Sequence, residues 1–132
     1  MSAGASLRVA MLAALRGDAA LGALVNQIAD GDQGKASPPA ITIGEASETG
    51  WGARAVDGRA LRVPLTVTDR GDGPAGVAGI VDAIDTALAA VPATIDGWRL
   101  LDLRFARSRL LSPRQGEWVA LVDYGARLAR II

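Results

Sequence analysis

The sequence predicts an α+β fold: an antiparallel four-stranded sheet made of two hairpins, with two main helices packed on one face. Three observations predict it. Two segments repeat apolar residues every three or four positions, and four others are β-branched or alternate apolar with polar residues. They follow one another as helix, strand, strand, helix, strand, strand, an order that suits helices gathered on one side of an antiparallel sheet.

The first helix is read from Leu7, Ala10, Met11, Ala14 and Leu15, which share one helical face between Ser6 as N-cap and Gly17 as stop. Asp18 is placed to cap a short second turn carrying Leu21, Leu24, Val25 and Ile28. Regularity then breaks over residues 30–39, where Gly31, Gly34, Pro38 and Pro39 fall. Residues 40–43 are short and β-branched, and residues 60–68 alternate strictly, with Leu61, Val63, Leu65 and Val67 on one face. Pro64 has no N–H to give a ladder, so it must sit at an edge or point its nitrogen outward. Residues 46–59 read as a long polar loop with one large apolar side chain, Trp51 between Gly50 and Gly52. The strongest helix runs over 74–91: Val77, Ile80, Val81, Ile84, Leu88 and Val91 form its stripe, Pro74 opens it and Pro92 ends it. Leu101, Leu103 and Phe105, then Trp118, Ala120, Val122 and Tyr124, mark two more strands around a turn at 112–116.

Length and composition narrow the function. A chain of 132 residues is enough for one domain with a real core, here taken as residues 1–132. No apolar run approaches the ~20 residues that cross a membrane as a helix. Met1 to Ala5 show no secretory pattern, so a bacterial cytoplasm is the expected site of synthesis. With no cysteine and no histidine, thiol nucleophiles, disulfides, zinc-type sites and imidazole acid–base catalysis are excluded. Fourteen basic residues balance fourteen acidic ones, which gives no overall field to attract nucleic acid or an anionic surface. The balance is uneven: from residue 97 onward seven arginines face only Asp102, Glu117 and Asp123.

Four candidate sites follow. Residues 71–76 match G-x-G-x-x-G between a strand and a helix, the setting of a dinucleotide turn. Asp72 would put a carboxylate beside the phosphates, and the segment beyond looks antiparallel, so the reading is a turn and helix start. Residues 31–35 end in Gly-Lys but lack the remaining P-loop residues, and the carboxylates Glu45, Glu48, Asp57, Asp69 and Asp72 have no metal-loop spacing. No cofactor, metal or catalytic residue is assigned. That leaves a partner surface. Arginine suits paired charges at interfaces, and Arg99, Arg107 and Arg109 share one strand parity while Arg104 takes the other. Trp51 is expected to anchor the 46–59 loop, mobile in the free subunit, against a neighbour, with Glu45, Glu48 and Arg54 adding paired contacts. The interface expected is therefore Glu45, Glu48, Trp51, Arg54, Arg104, Arg107 and Arg109.

The chain resembles the small tail-completion, or tail-terminator, family of long-tailed phages and gene transfer agents. The resemblance rests on the opening helix leading into Gly17-Asp18-Ala19-Ala20-Leu21, on Pro39-Ala40-Ile41-Thr42-Ile43-Gly44-Glu45, and on the polar stretch before Leu61. It continues through the 77–88 helix, Gly97-Trp98 and the closing strand from Gly116-Glu117-Trp118. It implies a non-enzymatic homo-hexameric ring at the head-proximal end of the tail. Such a ring halts growth of the tail tube, meets the head connector or stopper protein, and lets DNA pass without sequence-specific contact. The mature location implied is the tail of a particle. The rival is a small-molecule-binding α+β regulatory domain, with a pocket between the hairpins and a helix. A dinucleotide enzyme ranks third.

Overall fold

The computed structural model of the chain describes residues 1–31 and 37–131. The elements are helices α1 (Ala3–Gly17), α2 (Ala19–Gly22) and α3 (Ala75–Leu88), and strands β1 (Gln27–Asp30), β2 (Ala40–Ile43), β3 (Ser47–Trp51), β4 (Gly58–Arg70), β5 (Thr94–Ile95), β6 (Trp98–Leu111) and β7 (Glu117–Arg130). One mixed sheet results, ordered β1-β2-β4-β7-β6-β5, with β3 beside β4 and β1 parallel to β2. It curls into a half-barrel around the helices.

This corrects the four-stranded antiparallel sheet with two helices. The added strands are those whose sequences carry no strand period. Ile28 of β1 continues the helical spacing of Leu21, Leu24 and Val25, four of the five residues of β3 are exposed, and β5 has two residues. The segment 46–59, expected as a loop, holds β3 paired with β4 from Ser47↔Arg62 to Trp51↔Gly58, leaving only 52–57 as a turn. Most of residues 31–35 and Ile132 lie outside the described residues.

The long β4–β7 pair is the spine of the sheet. Its register sets Leu61, Val63, Leu65 and Val67 opposite Ala126, Tyr124, Val122 and Ala120, and all eight are buried. Helix α1 covers this row with Leu7, Met11 and Leu15, and α3 with Val77, Ile80, Ile84 and Leu88. Burying each large aliphatic side chain contributes about 1.5–3 kcal/mol before entropic costs. Helix α1 starts earlier than Ser6: Ser2 caps it, accepting the Ala5 N–H at 3.1 Å. Ser6 is instead buried, donating its hydroxyl to Asp96 Oδ2 at 3.1 Å. Asp96 and Gly97, both with positive φ, close the tight β5–β6 hairpin. The Tyr124 hydroxyl donates to Asp85 Oδ1 at 2.9 Å, pinning α3 to the sheet.

Pro64 falls where one neighbour of β4 gives way to the next. Strand β2 pairs with residues 65–68 and β3 with residues 58–62 on the same side of β4. The Pro64 carbonyl accepts the Gly44 N–H at 2.8 Å, so its nitrogen faces the same gap, where the chain crosses from β2 to β3. No ladder bond is lost there. Gly44 is required at the crossing, because a Cβ would lie 2.9 Å from the proline ring.

Ile84 is fully buried under the sheet. Ile84→Ala is expected to remove about 2–5 kcal/mol of stability in urea melts. A loss below about 0.5 kcal/mol would place this face of α3 outside the core.

Candidate assembly interface

In an uninterrupted strand, Arg104 faces away from Arg99, Arg107 and Arg109. Strand β6 is interrupted twice. Its register on β7 passes from Leu100↔Leu128 to Asp102↔Arg127, and again from Phe105↔Tyr124 to Arg107↔Asp123. Leu101 and Ala106 are the extra residues, and each reverses the strand's parity. Leu128 and Tyr124 are core residues, so their partners Leu100 and Phe105 take the helix side. Arg99, Asp102, Arg104, Arg107 and Arg109 therefore all take the other face, beside Arg127 of β7 and Arg62 of β4. Two bulges make one arginine surface out of residues that alternate in sequence.

Only part of this charge is neutralised. Arg107 Nε donates to Asp123 Oδ2 at 2.8 Å, and Arg104 pairs with Asp102. Arg104 lies over Gly125, where a Cβ would stand 3.4 Å from the guanidinium carbon. Arg62, Arg99 and Arg109 are exposed and have no ion pair among the described residues. Glu45 joins Ser47, Arg62, Pro64, Arg107 and Asp123 around an open depression of about 530 Å³ on this side. The surface presents guanidinium donors, the group best matched to carboxylates.

Strand β3 divides the other expected residues between the two faces. Glu48 points to the helix side: its Oε1 accepts the Gly4 N–H at 2.9 Å at the start of α1, and its Oε2 meets Arg59 Nε at 3.2 Å. A carboxylate at a helix N-terminus is stabilised by the helix dipole. Trp51 packs on its own sheet, against Gly58, where a Cβ would collide with the indole ring. The Arg127 guanidinium lies 4.5 Å from the centre of that ring. The indole N–H is buried without an acceptor among the described residues. Arg54 is exposed in the 52–57 turn, away from the β6 arginines in sequence and register.

A second cluster escaped the sequence reading. Trp98 is buried between Arg130, 4.4 Å from its ring centre, and Arg59, at 5.6 Å. Asp57 bridges the two arginines, accepting from Arg130 Nε at 3.1 Å and pairing with Arg59. Asp57 and Arg59, Trp98 and Arg130 come from three distant segments, which the β4–β7 and β6–β7 registers bring together. The Gly-Trp signal at 97–98 marked the tryptophan but not its partners.

The G-x-G-x-x-G segment is a turn. The Gly71 N–H donates to the Gly116 carbonyl at 3.0 Å, and the Asp69 carboxylate fills the space beside Gly76 in the first turn of α3. That helix end already faces an anion. Among the described residues no three Asp or Glu side chains converge as metal ligands.

The family described as Tail completion protein gp17 matches the chain over residues 9–129. The chain belongs to this family. The resemblance read from the order of its segments is thereby confirmed, and the subunit is a phage tail-completion protein. The tail-completion chain is also similar to a solved structure described as the virion of a native gene transfer agent (GTA) particle. The TM-score is 0.83 and the identity 22%, over 98% of this chain and 99% of the other. At that identity the likeness shows a shared fold. No curated protein matches the chain.

The Asp57 bridge of the tail-completion subunit makes its stability depend on pH. The Asp57 carboxyl is held below its ordinary value of 3.8, chiefly by the hydrogen bond from Arg130. Desolvation opposes this, and Arg59 adds to the lowering. A lowered folded pKa gives stability that is complete above the unfolded value and lost as pH falls through the folded one. Asp57→Asn is expected to destabilise the subunit by a constant amount from about pH 7 to about pH 5, with the deficit shrinking below about pH 4. Urea melts across that range test this. A deficit that persists unchanged at about pH 2 would assign the effect to packing.

Proposed function

We propose that this tail-completion protein is the subunit of a homo-hexameric terminator ring that caps the tail tube and joins it to the head connector. The observation that carries the proposal is the arginine face of β6 and β7, which holds more guanidinium groups than its own aspartates neutralise. Arginine is enriched at protein interfaces, where its planar fork binds carboxylates in two places at once. A closed ring needs two different patches on each subunit, one for each neighbour. In this reading Arg104, Arg107 and Arg109 meet an acidic patch on the next subunit, with Glu45 and Arg54 contributing at the edges. Glu48 and Trp51 support the contact by holding β3 to α1 and β4.

The protein acts by binding alone, as one domain per subunit. The gene transfer agent likeness in fold supports a place in the tail of a phage or phage-like particle, following assembly in the bacterial cytoplasm. DNA then passes through the ring without sequence-specific contacts. Light scattering coupled to size-exclusion chromatography tests the proposal, with and without purified tail-tube protein. The expected result is a hexamer, alone or on the tube, that Arg107→Glu with Arg109→Glu reduces to a folded monomer. A wild-type chain that stays monomeric in both conditions, or a double variant that still forms the ring, would contradict it.

A further inference from the structure

Strand β6 has an open side. Strand β5 covers it only at Arg99 and Trp98, and the Ala93 carbonyl accepts the Leu100 N–H at 2.8 Å. From residue 101 to 111 no other strand pairs with that edge among the described residues. The register identifies the free backbone groups. The Arg130 N–H donates to the Asp57 carbonyl, so even-numbered residues of β7 turn their backbone toward β4. The β6 residues opposite them, Leu103, Phe105, Ser108 and Leu110, therefore direct their N–H and carbonyl groups at the open edge.

An apolar groove of about 450 Å³ runs beside this edge on the helix side. Val77 and Val81 of α3 face Phe105 and Leu110 across it, with Asp82 and Asp85, and Arg109 at the edge strand, as its charged lining residues. Phe105 is 43% exposed and Leu110 51%, unusual values for large apolar side chains on the core side of a sheet. The other face of the same edge is the arginine row of Arg99, Arg104, Arg107 and Arg109.

We propose that the β6 edge receives an extended segment of another protein by strand addition, and that this segment alternates apolar with acidic side chains. Backbone bonding at Leu103, Phe105, Ser108 and Leu110 supplies affinity, and the two faces supply specificity. Apolar side chains of the added strand enter the groove, and acidic ones lie beside the arginines. Asp82 and Asp85 outnumber Arg109 in the groove lining and disfavour acidic side chains there, so a segment shifted by one residue is selected against. The arginine row disfavours a second copy of β6 as occupant. Pairing two copies about an axis normal to the sheet sets their arginine rows side by side. The proposal does not depend on ring closure.

The test uses the full chain, isotopically labelled, and a capped peptide of about eight residues, the length of an ordinary strand, alternating valine and glutamate. A valine–lysine peptide and a peptide of the same composition in scrambled order are the comparators. Saturable binding of the valine–glutamate peptide is expected, with hydrogen-exchange protection appearing at the amides of Leu103, Phe105, Ser108 and Leu110. Ser108→Pro should abolish binding, because it removes one of those donors and no bond to β7. Should that variant fail to fold, Leu110→Pro makes the same test. Arg107→Glu with Arg109→Glu should weaken binding at least about tenfold. Absence of binding, equal binding of the lysine or scrambled peptide, or binding that survives a folded proline variant would overturn the proposal. Dimerisation of the free chain through β6 would overturn it as well.

Discussion

The registration of β6 on β7, with one extra residue at Leu101 and another at Ala106, is the constraint on which the exposed half of the molecule depends. Each bulge turns the following stretch of strand over. Without them, the four arginines of β6 would be shared between the core side and the outer side, and guanidinium groups would sit over the apolar core at a cost of several kcal/mol. With them, every arginine of the strand faces outward, and Leu103, Phe105 and Leu110 turn inward. One arrangement thus creates both the cationic face and the apolar lip of the open edge.

The register is held because β7 has no freedom to slip. Its inner row of Ala120, Val122, Tyr124, Ala126 and Leu128 is buried against β4 and the helices, and a shift of one residue would expose all of it. Polar contacts at the margins add direction. Tyr124 reaches Asp85 on α3, Glu48 holds the start of α1, and Ser6 binds Asp96 in the β5–β6 turn. Burial, and then the hydrogen bond to Asp85, push the Tyr124 hydroxyl's pKa well above its usual range, in keeping with its role as donor to Asp85. The exposed pairs Arg104–Asp102 and Arg107–Asp123 contribute little stability. Exchanging these partners would therefore cost little in the proposed ring contact.

Much of this was legible in the sequence, and the omissions have physical causes. The periods of 3.6 and 2 locate both long helices and strands β4 and β7, because those segments bury one face each, while β2 is legible from its β-branched residues. Strands β1, β3 and β5 have too few residues or too little buried surface to leave a period. The bulges are invisible for a related reason, since a bulge is defined by what lies across the ladder. Parity alone therefore separates Arg104 from Arg99, Arg107 and Arg109, which the bulges bring to one face. Residues 46–59 read as a loop because they are rich in Gly, Ser, Thr and charge, yet Gly58, seven residues from Trp51 across a hairpin, makes room for the indole ring.

In the proposed ring, the cationic sheet face would give assembly a directional contact whose strength comes from desolvated charge pairs rather than from a large apolar patch. That proposal requires the face to change its environment when the particle forms. Labelling of arginines by phenylglyoxal, read by mass spectrometry on the free subunit and on the assembled particle, measures that change directly. The account predicts that Arg104, Arg107 and Arg109 react in the free subunit and are protected in the particle, while Arg114, in the exposed β6–β7 turn, serves as the reference for each state. Equal reactivity of the three arginines before and after assembly would contradict it.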